Sequence, residues 1–266
     1  MTDYKAIFEG IETTLIRVGS GNLDPEIIRK NLAAFKYENR KLTDNEYYQL
    51  MVFVIFASGF RASTANERKA VILGHYSDYQ VVADYGTAEK KRMMHDVGMI
   101  KNEKKINACV DTARKFRDIV TRYGSFEKYI DSFDSPKSFE NLMLLKEDLD
   151  CRFQGLGGVT AYHFLTDIGL PVIKPDRVLC RIFERLGLIE NEKYILRTVF
   201  EAKKFAEATG YPLRYIDIVF VAYGQMQSTS FGLTKGICLL ENPGCKICGI
   251  TKFCKYYARI NAGGKV

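Results

Sequence analysis

Apolar residues recur at helical spacing along most of the chain, and no run alternates as a half-buried strand would. The segment Asn45 to Ala57 is apolar almost all round, the pattern of a helix buried on every side. Ala88 to Gly98, Lys101 to Tyr123, Ser138 to Leu149, Val159 to Gly169, Asp176 to Leu186 and Tyr215 to Gln227 also read as helices. The pattern predicts an all-α protein without a long linker, low-complexity tract or internal repeat. Two helix starts are well marked. Thr43 precedes Glu46 by three residues, a capping-box spacing. Asp176 follows Pro175 and opens an apolar run, as an N-cap does.

Composition adds little to that picture, and charge slightly more. A chain of 266 residues with 47% hydrophobic content can bury a full core. Lysine and arginine exceed the acids by 39 to 32, which suits a polyanionic partner without requiring one. The start, MTDYKAIFEG, has no basic-then-apolar signal pattern, and the apolar stretch Leu50 to Gly59 is too short to span a bilayer. These features predict a cytoplasmic, nucleoid-associated protein that does not engage a membrane. In a reducing compartment, clusters among its seven cysteines would bind metal rather than form disulfides.

Three features carry chemistry. Cys238, Cys245, Cys248 and Cys254 are separated by six, two and five residues, compact enough to wrap one iron–sulfur cluster or one zinc ion. Cys109, Cys151 and Cys180 are scattered. The run Phe153-Gln154-Gly155-Leu156-Gly157-Gly158-Val159-Thr160-Ala161 lies between two helical stretches. Its glycines permit a tight turn with positive φ and leave no side chain to hold a phosphate away. The first N–H groups of the next helix are expected to point out of that turn as an anion site. Asp176 is the third feature, and a carboxylate there is compatible with capping and with catalysis.

Glycine hairpin, aspartate and four-cysteine loop, in that order, resemble the endonuclease III and adenine glycosylase family of helix-hairpin-helix DNA repair enzymes. The resemblance covers roughly residues 45 to 256. It implies a two-domain helical fold, with residues 40–168 as a central domain holding the hairpin. Residues 1–39 plus 169–266 would form a terminal domain holding a [4Fe–4S] cluster on the four cysteines. It also implies that Gly155, Gly157, Gly158 and Thr160 grip the backbone of lesion-containing double-stranded DNA, with a monovalent cation at the hairpin. Asp176 matches the catalytic aspartate. Bifunctional members carry a nucleophilic lysine two residues after the second hairpin glycine, where this chain has Val159. Valine forms no Schiff base, so the resemblance implies a monomeric, monofunctional glycosylase that uses water to excise a damaged, modified or mispaired base. Lys174, two residues before Asp176, is the amine that a bifunctional alternative would use. A non-catalytic iron–sulfur DNA-binding protein would keep cysteines and hairpin and lose the aspartate. An electron-transfer protein would leave the hairpin without a purpose.

A second resemblance is to the bacterial 3-methyladenine DNA glycosylase I family. It rests on Ser58-Gly59-Phe60-Arg61-Ala62, Asp96-Val97-Gly98-Met99-Ile100-Lys101-Asn102 and Lys104-Lys105-Ile106. That family places a base-recognising glutamate where this chain has Ser58, and a tryptophan that this chain lacks. Arg61 is the candidate wedge that fills the stack after base extrusion. Ser58, Tyr162, His163 and Lys174 are candidates for the base pocket, as is Tyr223. With 16 Tyr and 17 Phe, any single aromatic is a weak pointer. Lys101, Lys104 and Lys105 read as a solvated basic face, and His75 and His95 carry no motif.

Overall fold

The computed structural model describes residues 2–36, 41–60 and 62–263. In chain order its helices are α1 (Tyr4–Gly19), α2 (Pro25–Ala33), α3 (Asp44–Ala57), α4 (Ala62–His75), α5 (Tyr79–Ala83), α6 (Thr87–His95) and α7 (Glu103–Tyr123). There follow α8 (Phe126–Asp131), α9 (Phe139–Arg152), α10 (Val159–Asp167), α11 (Arg177–Leu186), α12 (Ile195–Thr209), α13 (Leu213–Gly224) and α14 (Lys255–Asn261). Among the described residues the sole β-type pairing is an isolated bridge between Ser228 and Leu233, so the fold is all-α. No described helix is long and apolar enough to cross a membrane.

The chain divides into two compact units, one of Arg40–Leu170 and one of Met1–Asn39 with Pro171–Val266. The first is built around α3, where Tyr48, Met51, Val52, Val54, Ile55 and Phe56 are buried, matching its apolar circumference. The expected capping box is present: the Thr43 hydroxyl accepts from the Glu46 N–H at 3.3 Å, and the Glu46 carboxylate accepts from the Thr43 N–H at 2.8 Å. Phe116 of α7 stacks on Phe126 of α8 with ring centroids 4.5 Å apart. Offset aromatic pairs of this kind add to plain area burial. In the second unit α1 packs on α12 and α13, and α11 packs on α13. Phe183, Phe205 and Phe220 meet edge to face or tilted at its centre.

Several boundaries differ from the sequence pattern for local reasons. The helix predicted over Ala88–Gly98 stops at His95. There the Asp96 carboxylate accepts from the Gly98 N–H at 2.8 Å and holds His75 Nε2 at 2.7 Å, a side-chain alternative to helix bonding. The helix predicted from Lys101 starts at Glu103, because the Asn102 side chain accepts from the Lys105 N–H at 3.1 Å. The helix predicted over Tyr215–Gln227 runs from Leu213 to Gly224, behind Pro212. Helices α1, α2, α4, α5, α8, α12 and α14 are additional to the seven that the pattern marked.

Candidate active site and cysteine chamber

The loop between α9 and α10 is tied down at both ends by apolar side chains. Phe153 and Leu156 are buried. Gly155 sits at φ +93° and Gly158 at φ +57°, conformations open to glycine, and Gly158 caps α10. Gly155 also lies against Ile55: a Cβ there would stand 3.2 Å from Ile55 Cγ2. Gly157 has a different reason to be glycine, since a Cβ would come within 2.9 Å of Asp150 Oδ1.

That aspartate changes how the hairpin is read. Asp150 Oδ2 accepts from the Gly158 N–H at 3.1 Å and pairs with Lys146 Nζ at 2.9 Å. The Thr160 N–H donates to the Gly157 carbonyl at 3.2 Å. The expectation that the first N–H groups of α10 point freely outward is therefore corrected at Gly158, whose donor is engaged by a carboxylate. The Gly155 and Gly157 N–H groups have no acceptor among the described residues.

Asp176 caps α11. Its Oδ1 accepts from the Val178 N–H at 2.9 Å and the Leu179 N–H at 3.0 Å. The other oxygen faces Lys174 Nζ at 4.0 Å. One carboxylate oxygen is thus fixed by the helix terminus, and the second has a single long ionic partner. The remaining pocket candidates have separate partners. His163 pairs with Asp167 at 3.2 Å, and Tyr162 is buried with its hydroxyl 3.5 Å from Met143 Sδ. Ser58 is exposed at the end of α3. Arg61, the wedge candidate, lies outside the described residues.

Lys105 departs from the solvated-face expectation. Its ammonium donates to the carbonyls of Ile55 at 2.5 Å, Phe56 at 3.1 Å and Ser58 at 2.6 Å, with Ser58 Oγ at 3.4 Å. These are orphan carbonyls of the last turn of α3, and a cation there also complements the helix dipole. Burial pulls the Lys105 pKa below the ordinary lysine value. Helical periodicity marks a position like this only as polar, so its carbonyl partners were not legible from the pattern.

The four cysteines line one small chamber together with Arg185, Tyr223, Pro243, Thr251, Tyr256 and Tyr257. The loop that carries them is clamped onto α1. The Thr14 hydroxyl accepts from the Gly249 N–H at 3.1 Å, and Arg17 donates to the Ile247 carbonyl at 2.6 Å. Arg185 donates to Cys238 Sγ at 3.2 Å and stacks over Tyr256. The Tyr223 hydroxyl lies 3.0 Å from Cys248 Sγ, so this aromatic belongs to the cysteine chamber rather than to a base pocket. Burial pushes the Cys238, Cys245 and Cys254 thiols above their ordinary pKa, and Arg185 pulls Cys238 the other way. No three His, Cys, Asp or Glu side chains converge on one ion among the described residues. Four thiols facing one chamber are a donor set that fits an iron–sulfur centre or a zinc ion.

The comparisons agree with this architecture. Endonuclease III, in a structure of a trapped covalent intermediate with DNA, is similar over 89% of this chain and 96% of its own, with 13% identity and a TM-score of 0.58. The 8-oxoguanine DNA glycosylase of Thermotoga maritima is similar over 81% of this chain and 96% of its own, with 18% identity and a TM-score of 0.52. The 3-methyladenine DNA glycosylase I of Staphylococcus aureus is 21% identical over 57% of this chain and 88% of its own, with a TM-score of 0.45. The fold is thus that of the helix-hairpin-helix DNA glycosylases. A family model for methyladenine glycosylase matches residues 38–182, more than half of the chain. The chain belongs to that family and is a DNA N-glycosylase.

Proposed function

We propose that the enzyme is monofunctional: it hydrolyses the base–sugar bond with water and leaves an abasic site. The observation that carries this reading is that an apolar residue, Val159, stands where a nucleophilic lysine would be needed, while Asp176 is a carboxylate fixed by its own helix. Cleavage of the bond builds positive charge on the sugar, and a preorganised carboxylate stabilises that charge and orients the attacking water. The target nucleotide must first leave the stack, which costs least for a damaged or mismatched base. Phosphates beside the lesion would be held by the free Gly155 and Gly157 N–H groups, which fix position without reading sequence. Lys174, whose Nζ stands 4.0 Å from Asp176, is the amine that a lyase reading would use.

In the same reading Cys238, Cys245, Cys248 and Cys254 hold a [4Fe–4S] cluster, with Arg185 and Tyr223 donating toward its sulfurs. The cluster would supply structural closure of the C-terminal loop, because ligands of this kind fold around their metal. The decisive experiment incubates the purified protein with a panel of lesion-containing duplexes, with and without alkali. Base release with strand scission only after alkali supports the reading. Scission without alkali would favour a lyase.

A further inference from the structure

One apolar side chain stands in water on a turn that is fastened from behind. Val97 is 85% exposed, more than any other large hydrophobic residue among those described. It sits at the tip of a turn in which the Met99 N–H donates to the Asp96 carbonyl at 3.3 Å. Three residues of α4 hold that turn. Arg68 Nη1 donates to the Val97 carbonyl at 2.9 Å, and His75 Nε2 pairs with the Asp96 carboxylate at 2.7 Å. Between them Val71 lies so close to Gly98 that a Cβ there would stand 2.9 Å from Val71 Cγ2. Residues 68, 71 and 75 follow the i, i+3, i+7 spacing of one helix face. Met99 and Ile100 are buried behind the turn. Backbone and neighbours are thus committed to the protein, and the Val97 side chain is left outside. Exposed apolar residues are common singly, but packing gives no reason to fix the backbone under one so firmly.

The turn belongs to the end of its unit that carries the hairpin. It leads through Asn102 into the first turn of α7, where Lys105 holds the Ile55 and Ser58 carbonyls at the end of α3. Gly155 of the hairpin rests on the same Ile55. The last turn of α3 is therefore the shared neighbour of the hairpin and of the segment that carries Val97. We infer that Val97 is a wedge that enters the base stack of duplex DNA docked on the hairpin. This rests on the hairpin docking proposed above and adds a positioning residue to it. Separating a base step is costly, and an apolar side chain inserted there offsets part of the cost by leaving water. Insertion is most favourable when the inserted side chain has little freedom left to lose. Val97 meets both conditions, with a β-branched side chain on a fixed backbone. The Asp96 carboxylate in the same turn is engaged by His75 and the Gly98 N–H, so it is not an unpaired charge facing a phosphate backbone.

The test uses the full chain and a duplex that carries a tetrahydrofuran abasic analogue beside 2-aminopurine, whose fluorescence rises when it loses a stacking neighbour. This probe requires neither turnover nor the identity of the excised base. Wild-type binding is expected to raise the fluorescence, Val97→Ser to abolish the rise and Val97→Leu to restore it. Val97→Ser should also weaken binding to the abasic duplex by about tenfold, the worth of one buried valine side chain, while binding to an intact duplex changes little. Val97 is exposed, so both variants should melt at the wild-type temperature. A full rise with unchanged affinity in Val97→Ser overturns the inference, as does a rise that Arg61→Ala loses and Val97→Ser keeps. The absence of any rise with saturating wild type also overturns it and leaves the hairpin docking intact. Failure of the wild type to bind duplex DNA overturns both.

Discussion

At the scale of single residues, Asp176 is the position where capping and catalysis can be separated. Asp176→Asn keeps the size and much of the bonding to the Val178 and Leu179 N–H groups. It removes the charge that would stabilise a cationic sugar. Single-turnover base release should fall by orders of magnitude while affinity for lesion DNA is nearly kept, since the loss lies in the transition state. A purely capping residue would instead cost about 1 kcal/mol of stability or less and leave the rate alone. Val159 supplies an independent check: borohydride should trap no covalent protein–DNA complex during turnover. A strong trapped band that vanishes in Lys174→Ala would make Lys174 the nucleophile. Asp176 was legible because Pro175 and the apolar run behind it mark a helix start. Lys105 and Asp150 were not, because their partners lie 50 and 8 residues away in sequence and only folding brings them together.

At the scale of elements, the hairpin and the cysteine loop were the most legible parts, since each depends on residue types that have few other uses. The glycines announced a tight turn, and two of them do adopt positive φ. Hidden from the pattern was the Lys146–Asp150 pair that takes up the Gly158 N–H, so Gly157 serves as clearance for a carboxylate. Gly157→Val should displace Asp150, loosen the cap of α10 and weaken DNA binding, read as a lower melting temperature together with a higher dissociation constant. Unchanged melting with unchanged binding would count against both roles. Short helices such as α5 and α8 escaped because five or six residues span barely more than a turn, too few for a period to register. For the cysteine loop, protein prepared without oxygen should contain about four irons per chain and absorb broadly in the visible. Stoichiometric zinc without iron would refute the cluster. Cys245→Ser should lose the metal and expose the loop to protease, because the sulfurs organise the fold around it.

At the scale of the whole molecule, acid and salt should act through different groups. Burial pushes Asp148 and Asp150 up, but Arg152 and Tyr129 outweigh it at Asp148, and Lys146 and the Gly158 N–H outweigh it at Asp150. Both carboxyls therefore titrate below the ordinary aspartate value of about 3.9. A depressed folded pKa contributes stability that is present above the unfolded value and is lost as pH falls through the folded one. The urea midpoint should hold from neutral pH to about 5 and decline below about 4, with a shallower acid limb in Asp148→Asn. DNA affinity is the more discriminating property. The formal net charge of +7 draws a polyanion to the protein without specifying where. If docking adds a handful of phosphate contacts, the logarithm of affinity should fall linearly with the logarithm of salt, with a slope of about −0.9 per phosphate whose counterions are released. Backbone N–H groups position phosphates but bring no charge of their own, so Gly157→Val should lower affinity at every salt concentration and leave the slope nearly unchanged. Removing a lysine or arginine that neutralises a phosphate should reduce the slope by about one. A wild-type response that is flat in salt would exclude neutralisation of phosphates by lysine and arginine as the main source of affinity.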